Sequence, residues 1–248
     1  MERRLWYLKG CDLFGSLTPE QARQMERNAL FRSFKRQALI YAPSDPGQCV
    51  MVLAKGRVKI KDITPEGKET ILTFIEEGEM FGELALLDGE PRQEYAEAAE
   101  DCEVVVVPSD NMLWLMKLRS DVSLFVTKMI GWRRRRIENR LRNVLFLPSR
   151  DRMIRLLCEL VEAHGDRSGN RCEIRLSLSH QELASLIGVT RETVTTVLGH
   201  LQGEGLVKIH RRRIVIVDCD TLAEMAAGAT LNSVTPKIAP ESPKKRPV

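Results

Sequence analysis

The stretch from Leu178 to Val207 limits what this chain can be more than any other, because two short helices have their ends written into it. Ser179-His180-Gln181-Glu182 is a capping box, in which the Ser179 hydroxyl accepts from the Glu182 amide and the Glu182 carboxylate reaches back. Leu183 and Ile187 are the expected buried positions of the helix that follows, and Gly188 supplies the left-handed residue that stops it. Thr190 then caps a second helix. A helix, a three-residue turn and a helix is the spacing of a helix-turn-helix.

At about 100° per residue, Val194, Val197, Leu198 and Leu201 of the second helix share one sector, while Arg191, Glu192, Thr195, Thr196 and Gly199 share the opposite one. The outward face is short, polar and N-terminal, as a helix entering a DNA major groove requires. Arg191 can donate twice to guanine and Glu192 can accept from cytosine N4. Thr195 and Thr196 can meet a thymine methyl or a phosphate, and Gly199 leaves room for close approach. Ser179 and Thr190, at the two helix starts, complete this candidate DNA-contacting set on the helices. A hairpin follows, residues 206–210 returning through 214–217, with Arg211, Arg212 and Arg213 at its tip. On a winged helix such a tip lies along a phosphate backbone.

Ahead of this element the periodicity changes twice. Thr18-Pro19-Glu20 opens a short helix with Pro at its first position. Residues 31–108 then read as short strands: Val58 and Ile60 alternate with Lys59 and Lys61, and Cys102 to Val107 is a β-branched run closed by Pro108. Turn signals at 43–47, Lys55-Gly56, Pro65-Glu66-Gly67 and Glu77-Gly78 separate them, a spacing that suits a small barrel or roll. Residues 110–119 suit one helix, and Asp121 is placed to cap a second from Val122 to about Phe146. On that second helix Val122, Val126, Met129, Ile137, Leu141 and Val144 form an apolar stripe, interrupted where Arg133 to Arg136 fall. A stripe of this length wants a partner: a second copy of the helix about a two-fold axis, or the chain's own barrel.

The predicted organisation is therefore α+β. Residues 1–110 form an antiparallel, jelly-roll-like β-roll, 111–147 a helical linker and dimerisation helix, and 148–228 a winged helix-turn-helix of three helices and a hairpin. Residues 229–248 form a Pro- and Lys-containing disordered tail. With 43% hydrophobic and 29% charged residues the composition is that of an ordinary globular protein. No apolar run approaches the roughly 18–20 residues that span a bilayer. The opening Met1-Glu2-Arg3-Arg4-Leu5 lacks an apolar signal core, so the expected location is the cytoplasm, with no membrane partner.

Charge is partitioned unevenly. Residues 1–110 hold 14 basic and 20 acidic side chains, residues 111–149 hold 9 and 2, residues 150–228 hold 11 and 11, and the last twenty hold 4 and 1. An acidic front half cannot coat DNA, so contact has to come from a few placed cations further along. The six cysteines, Cys11, Cys49, Cys102, Cys158, Cys172 and Cys219, show no Cys-x-x-Cys pair and read as reduced, half-buried thiols. All four histidines (His164, His180, His200, His210) lie in the C-terminal domain, which argues against a histidine-ligated haem in the roll, and three separated cysteines in the front half argue against an iron–sulfur cluster. Glu83 and Glu94 stand without a paired base, nucleophile or metal cluster, and nothing points to an enzyme.

Three segments, in order, resemble the Crp/Fnr family of bacterial transcription regulators. Phe81-Gly82-Glu83-Leu84-Ala85-Leu86-Leu87 followed by Pro91-Arg92 is similar to the family's phosphate-binding cassette. Residues 143–147 look like the end of its dimerising helix, and Gly188-Val189-Thr190-Arg191-Glu192-Thr193-Val194 like the start of its recognition helix. The resemblance implies a cyclic-nucleotide-binding-like β-roll and a homodimeric regulator on inverted-repeat, double-stranded DNA, with RNA polymerase as a further partner if it activates. The competing reading is a small-ligand sensor whose output is a protein contact.

The resemblance also implies an effector site of Gly82, Glu83, Leu84, Arg92 and Gln93, without establishing an effector. Gln93 and Glu94 stand where the family usually has small residues, and Glu94 would repel a phosphate. The helix positions that usually meet the base correspond to Ile137 and Glu138. The alternative is Arg92 paired with Glu83 or Glu94 inside an empty roll. Thr196 replaces an arginine common in the family, which implies an operator sharing only part of the usual half-site.

Overall fold

The computed structural model describes residues 17–210 and 213–228. The expectations for Cys11, Arg211, Arg212 and the tail 229–248 lie outside the described residues. In chain order the elements are α1 (Pro19–Glu26), β1 (Leu30–Phe34), β2 (Leu39–Tyr41), β3 (Cys49–Lys55), β4 (Val58–Ile63), β5 (Glu69–Ile75), β6 (Met80–Phe81), α2 (Leu84–Asp88), β7 (Tyr95–Ala98), β8 (Cys102–Pro108), α3 (Ser109–Leu118) and the long α4 (Ser120–Phe146). They continue with α5 (Ser149–His164), β9 (Gly165–Ser168), β10 (Arg171–Ile174), α6 (His180–Ile187), α7 (Arg191–Gly203), β11 (Val207–His210), β12 (Arg213–Ile216) and α8 (Cys219–Gly228).

Two compact units result. One holds the described residues up to Phe146 together with Ser179–Thr195; the other holds Leu147–Leu178 and the described residues from Thr196 onward. In the first, two four-stranded antiparallel sheets, ordered β1-β8-β3-β6 and β2-β7-β4-β5, face each other. The period of two along β3 and β8 divides its apolar residues into two cores. Met51 and Leu53 of β3, with Cys102 and Val104 of β8, point into the roll and meet Val58, Ile60, Ile75 and Phe81. Their alternates Val50, Val52, Val105 and Val107 point the other way and meet Met25, Met112, Leu115, Val122 and Val126 from the helices.

Local sequence accounts for the helix ends. Thr18 caps α1 in a capping box with Gln21, and Pro19 sits at its first position. The Asn111 side chain donates to the carbonyls of Gln24 (3.0 Å), Met25 (3.4 Å) and Arg27 (2.6 Å), satisfying the C-terminal end of α1 and tying it to α3. Asp121 lies in the first turn of α4, which starts one residue earlier at Ser120, and Arg119 donates to both its carboxylate oxygens.

The α4 stripe is divided along its length. Val122 and Val126 are buried in the roll's outer core and Met129 and Ile130 pack against it. Ile137, Leu141 and Val144 are 45%, 57% and 42% exposed. The apolar residues of the first half thus serve the helix's own barrel, while Ile137, Leu141 and Val144 of the second half face solvent.

Lys59 and Lys61, the polar alternates of β4, are buried. Their ammonium groups lie among the Glu69 and Glu97 carboxylates, with Lys59 to Glu97 at 2.9 Å, Lys61 to Glu69 at 2.7 Å and Lys61 also paired to Glu97. Charge inside a protein is tolerated when it is matched in this way. The C-terminal region also holds more than three helices and one hairpin: α8 follows β12, and the β9–β10 hairpin completes a four-stranded sheet ordered β11-β12-β10-β9. Strands β9 and β10 contain few apolar residues, Cys172 and Ile174 among them, too few to show a period of two.

Candidate nucleic-acid interface and effector cavity

The capping box forms as written. Ser179 Oγ accepts from the Glu182 amide at 3.2 Å, and the Glu182 carboxylate accepts from the Ser179 amide at 2.8 Å. Gly188 ends α6 at φ 68°, ψ 45°, a left-handed conformation that glycine adopts without penalty. Thr190 Oγ1 then accepts from the Thr193 amide at 3.2 Å and starts α7. Leu183 and Ile187 are buried, and so are Ala184, Ser185 and Leu186 between them, since α6 also lies against β5.

Along α7 the division by angle holds. Val194, Val197, Leu198 and Leu201 are buried, while Arg191, Glu192, Thr195, Thr196 and Gly199 are exposed. The Glu192 carboxyl is held below its ordinary pKa by its own backbone amide and then by the Thr190 hydroxyl, so it is an acceptor at neutral pH. A Cβ at Gly199 would meet only open space, so a partner surface can approach there. The Thr195 hydroxyl donates to the Arg191 carbonyl at 3.0 Å, and His180 Nδ1 lies 2.9 Å from the Thr195 hydroxyl oxygen. With its proton committed to the backbone, Thr195 accepts from His180 and offers its methyl outward. Angle alone could not reveal His180, because it belongs to the neighbouring helix. Of the three arginines of the wing, Arg213 is described: it is exposed and 3.2 Å from Glu173.

The cassette in the first unit brings together part of the expected effector set. Gly82, Glu83 and Arg92 converge, whereas Leu84 and Gln93 are exposed. Arg92 is 3% exposed: Nη1 donates to the Gly82 carbonyl at 2.9 Å, Nη2 to the Cys49 carbonyl at 2.6 Å, and the guanidinium lies 4.2 Å over the Tyr41 ring. Gly82 has φ 72°, and a Cβ there would collide with Arg92 Nη1, so glycine is what admits the arginine.

The expected pairing of Arg92 with Glu83 or Glu94 is not made. Glu94 accepts from the Tyr41 hydroxyl at 2.9 Å; burial, then that carboxylate, raise the Tyr41 phenol above its ordinary pKa. Glu83, 4% exposed, is bridged at 2.9 Å by Arg133 of α4, whose other terminal nitrogen donates to the Met80 carbonyl at 2.6 Å. Seven residues on, Arg140 donates to the carbonyls of Ile71 (3.1 Å) and Leu72 (2.8 Å). Ile137 is 45% exposed, and Glu138 pairs with Arg134 on the helix surface. The spacing Val126, Arg133, Arg140 was the available signal: steps of seven keep one helical face.

In the arrangement described, each terminal nitrogen of Arg92 gives one of its two hydrogens to a carbonyl, and one of the two Glu83 oxygens accepts from Arg133. Helix α2, at whose start a phosphate would sit, has only five residues. Among the described residues no group of His, Cys, Asp and Glu could hold a metal ion, and no helix is long and apolar enough to cross a membrane.

Residues 31–119 match the family model of the cyclic nucleotide-binding domain, and residues 151–225 that of the Crp-like helix-turn-helix domain. Over 221 residues the chain is 30% identical to the cyclic AMP receptor protein of Thermus thermophilus, covering 89% of this chain and 99% of that one. It is 26% identical over 214 residues to the CRP-like cAMP-activated global transcriptional regulator of Mycobacterium tuberculosis, covering 86% and 96%. Among solved structures, a CRP/FNR-family transcriptional regulator of Thermus thermophilus is similar with a TM-score of 0.64 at 31% identity, over 80% of this chain and 98% of that one. FixK2 of Bradyrhizobium japonicum shares the fold with a TM-score of 0.68 at 22% identity, over 79% and 96%. With a cyclic nucleotide-binding-type roll, a long helix and a Crp-like helix-turn-helix in that order, the chain belongs to the CRP/FNR family of DNA-binding transcription regulators.

Proposed function

We propose that the regulator acts in the cytoplasm as a homodimer joined along α4, and that it reads an inverted-repeat operator with one α7 in each half-site. The observation that carries this is the capped start of α7, where an exposed face of Arg191, Glu192, Thr195 and Thr196 backs onto the buried Val194, Val197, Leu198 and Leu201. Arg191 supplies the bidentate guanine contact and Glu192 the acceptor for a cytosine amine. Ser179 and Thr190 bring two helix starts toward phosphates. Arg211, Arg212 and Arg213 follow the backbone without reading sequence. The exposed Ile137, Leu141 and Val144 supply the contact between copies. The output is occupancy of DNA rather than catalysis, with RNA polymerase a partner where that occupancy activates transcription.

Selection from random duplexes tests the reading. It should enrich an inverted repeat with half-site centres about one helical turn apart, roughly 34–36 Å. Enrichment of no duplex, or of a single half-site by a monomer, would reject it.

A further inference from the structure

We infer that His180 is a positioning residue for the reading face of α7. It holds the Thr195 hydroxyl so that the Thr195 methyl faces DNA, and each half-site therefore carries a thymine within about two base pairs of the guanine met by Arg191. The inference rests on the reading of the chain as an operator-binding dimer, and it names one base of that operator.

The sequence leaves two roles open for Thr195, a hydroxyl on a phosphate or a methyl on a thymine, and its hydrogen bonds choose between them. A threonine hydroxyl has one proton and two lone pairs. The proton goes to the Arg191 carbonyl at 3.0 Å, one turn back on the same helix. Phosphate oxygens only accept, so this hydroxyl has no proton left for them. His180 Nδ1 lies 2.9 Å from the Thr195 hydroxyl oxygen, and with the hydroxyl proton already placed the ring nitrogen is the donor. The two bonds together select the rotamer, since a helical threonine divides between rotamers according to whether its oxygen reaches the carbonyl a turn back. His180 is itself held, half-buried in the first turn of α6, directly after the Ser179 cap. With its oxygen turned to Arg191 and His180, the exposed Thr195 presents its methyl outward. Arg191 and Thr195 stand four residues apart on one exposed face, about 6 Å along the axis, while base pairs follow at about 3.4 Å. Of the base edges in the major groove, thymine's carries the methyl. One lone pair of the Thr195 oxygen remains, and it can accept from an adenine or cytosine amine; that is the competing arrangement the test has to separate.

The test uses the full-length protein and the operator enriched from random duplexes, with uracil replacing thymine one position at a time. Uracil lacks the methyl and keeps the base pairing. For the parent, one position in each half-site should respond, by about fourfold for one half-site and about sixteenfold for both, the scale of one buried methyl group. Thr195→Ser keeps the hydroxyl and its bonds but not the methyl, and should bind the thymine and uracil duplexes alike. Thr195→Val keeps a methyl without the oxygen, and should still prefer thymine by about twofold or more. His180→Ala should reduce the preference below about twofold while an unrelated duplex is bound as by the parent, and His180→Asn, whose amide nitrogen stands in for Nδ1, should restore it. A merely structural role for His180 would weaken every duplex alike and leave the ratio unchanged. Should His180→Ala not fold, as melting curves would show, the uracil scan of the parent and the two Thr195 variants decide. A parent indifferent to uracil at every position, a preference kept by Thr195→Ser and lost by Thr195→Val, or a ratio unmoved in folded His180→Ala overturns the inference and leaves operator binding intact. Failure to enrich any duplex would instead reject the reading on which it rests.

Discussion

Replacing Leu141 by alanine separates the two uses of α4. The truncation removes three carbons, which are worth about 2.4 kcal/mol on going from water to full burial at ~0.8 kcal/mol per carbon. Leu141 is 57% exposed in the single chain, so the part still to be gained on dimerisation is about 1.4 kcal/mol per copy, with the scale taken from the same transfer values. A two-fold axis uses each residue twice. The dimer should therefore lose about 2.8 kcal/mol, roughly a hundredfold in its dissociation constant. Sedimentation equilibrium over a range of concentrations reads this directly. Val126→Ala is the counterpart, because Val126 is 1% exposed and packs in the roll's outer core. It should cost about 2–3 kcal/mol of chain stability through lost transfer energy and the cavity left behind, and leave the dimer constant within a few-fold. If Leu141→Ala dimerises like the parent while Val126→Ala does not, the division of α4 is wrong and the contact between copies lies elsewhere.

At the DNA, Arg191→Ala should cost roughly 1–3 kcal/mol on the selected operator and relax one base-pair position, whereas neutralising Arg211, Arg212 and Arg213 together should weaken all sequences alike and flatten the salt dependence by up to about three ions per subunit; a salt slope that Arg191→Ala lowers and the wing variant does not would reverse these roles. In the roll, burial by itself would raise the Glu97 pKa, but hydrogen bonds and charges from Lys61 and Lys59 outweigh it and the net shift is downward. A depressed folded pKa stabilises above the unfolded value and is lost as pH falls through the folded one. Glu97→Gln should thus cost about 1–2 kcal/mol at pH 7, since it leaves two buried lysines to share Glu69, and the gap to the parent should narrow below about pH 4; a gap that is constant down to pH 3 by chemical denaturation would count against it. Cys102 and Cys158 are both pushed up to about 11, chiefly by burial and then by neighbouring carboxylates. Native protein at pH 7.5 should leave both unlabelled by iodoacetamide over a time that fully labels the unfolded chain, as mass spectrometry would show.

What could be read from sequence was local. The capping box at Ser179, the stop at Gly188 and the cap at Thr190 each depend on residues within four positions, and all three occur. The face of α7 follows from helical geometry alone. The strands of the roll announce themselves by turns and β-branched runs, whereas the β9–β10 hairpin does not, because its stability comes from pairing with β12 rather than from its own composition. The unlike ends of α4 were hidden for a similar reason: a stripe records that apolar surface must be covered, not by what.

The charged residues share one physical cause of misreading. Lys59 and Lys61 alternate with apolar neighbours and Arg133 interrupts a stripe, and in a single sequence both patterns assign the charge to water. Their partners are distant: Glu97 is 36 residues from Lys61, and Glu83 is 50 from Arg133. Burying an unmatched charge costs several kcal/mol, so whether a lysine or arginine faces inward is decided by the carboxylate the fold delivers to it, not by its own neighbours. The same holds for Arg92, whose sequence context suggests a ligand's phosphate but whose donors go to the carbonyls of Gly82 and Cys49. A motif shows which groups are available; the rest of the fold decides which of them are still free. In this roll Arg133 is the partner that the fold delivers to Glu83, and it stands outside the motif.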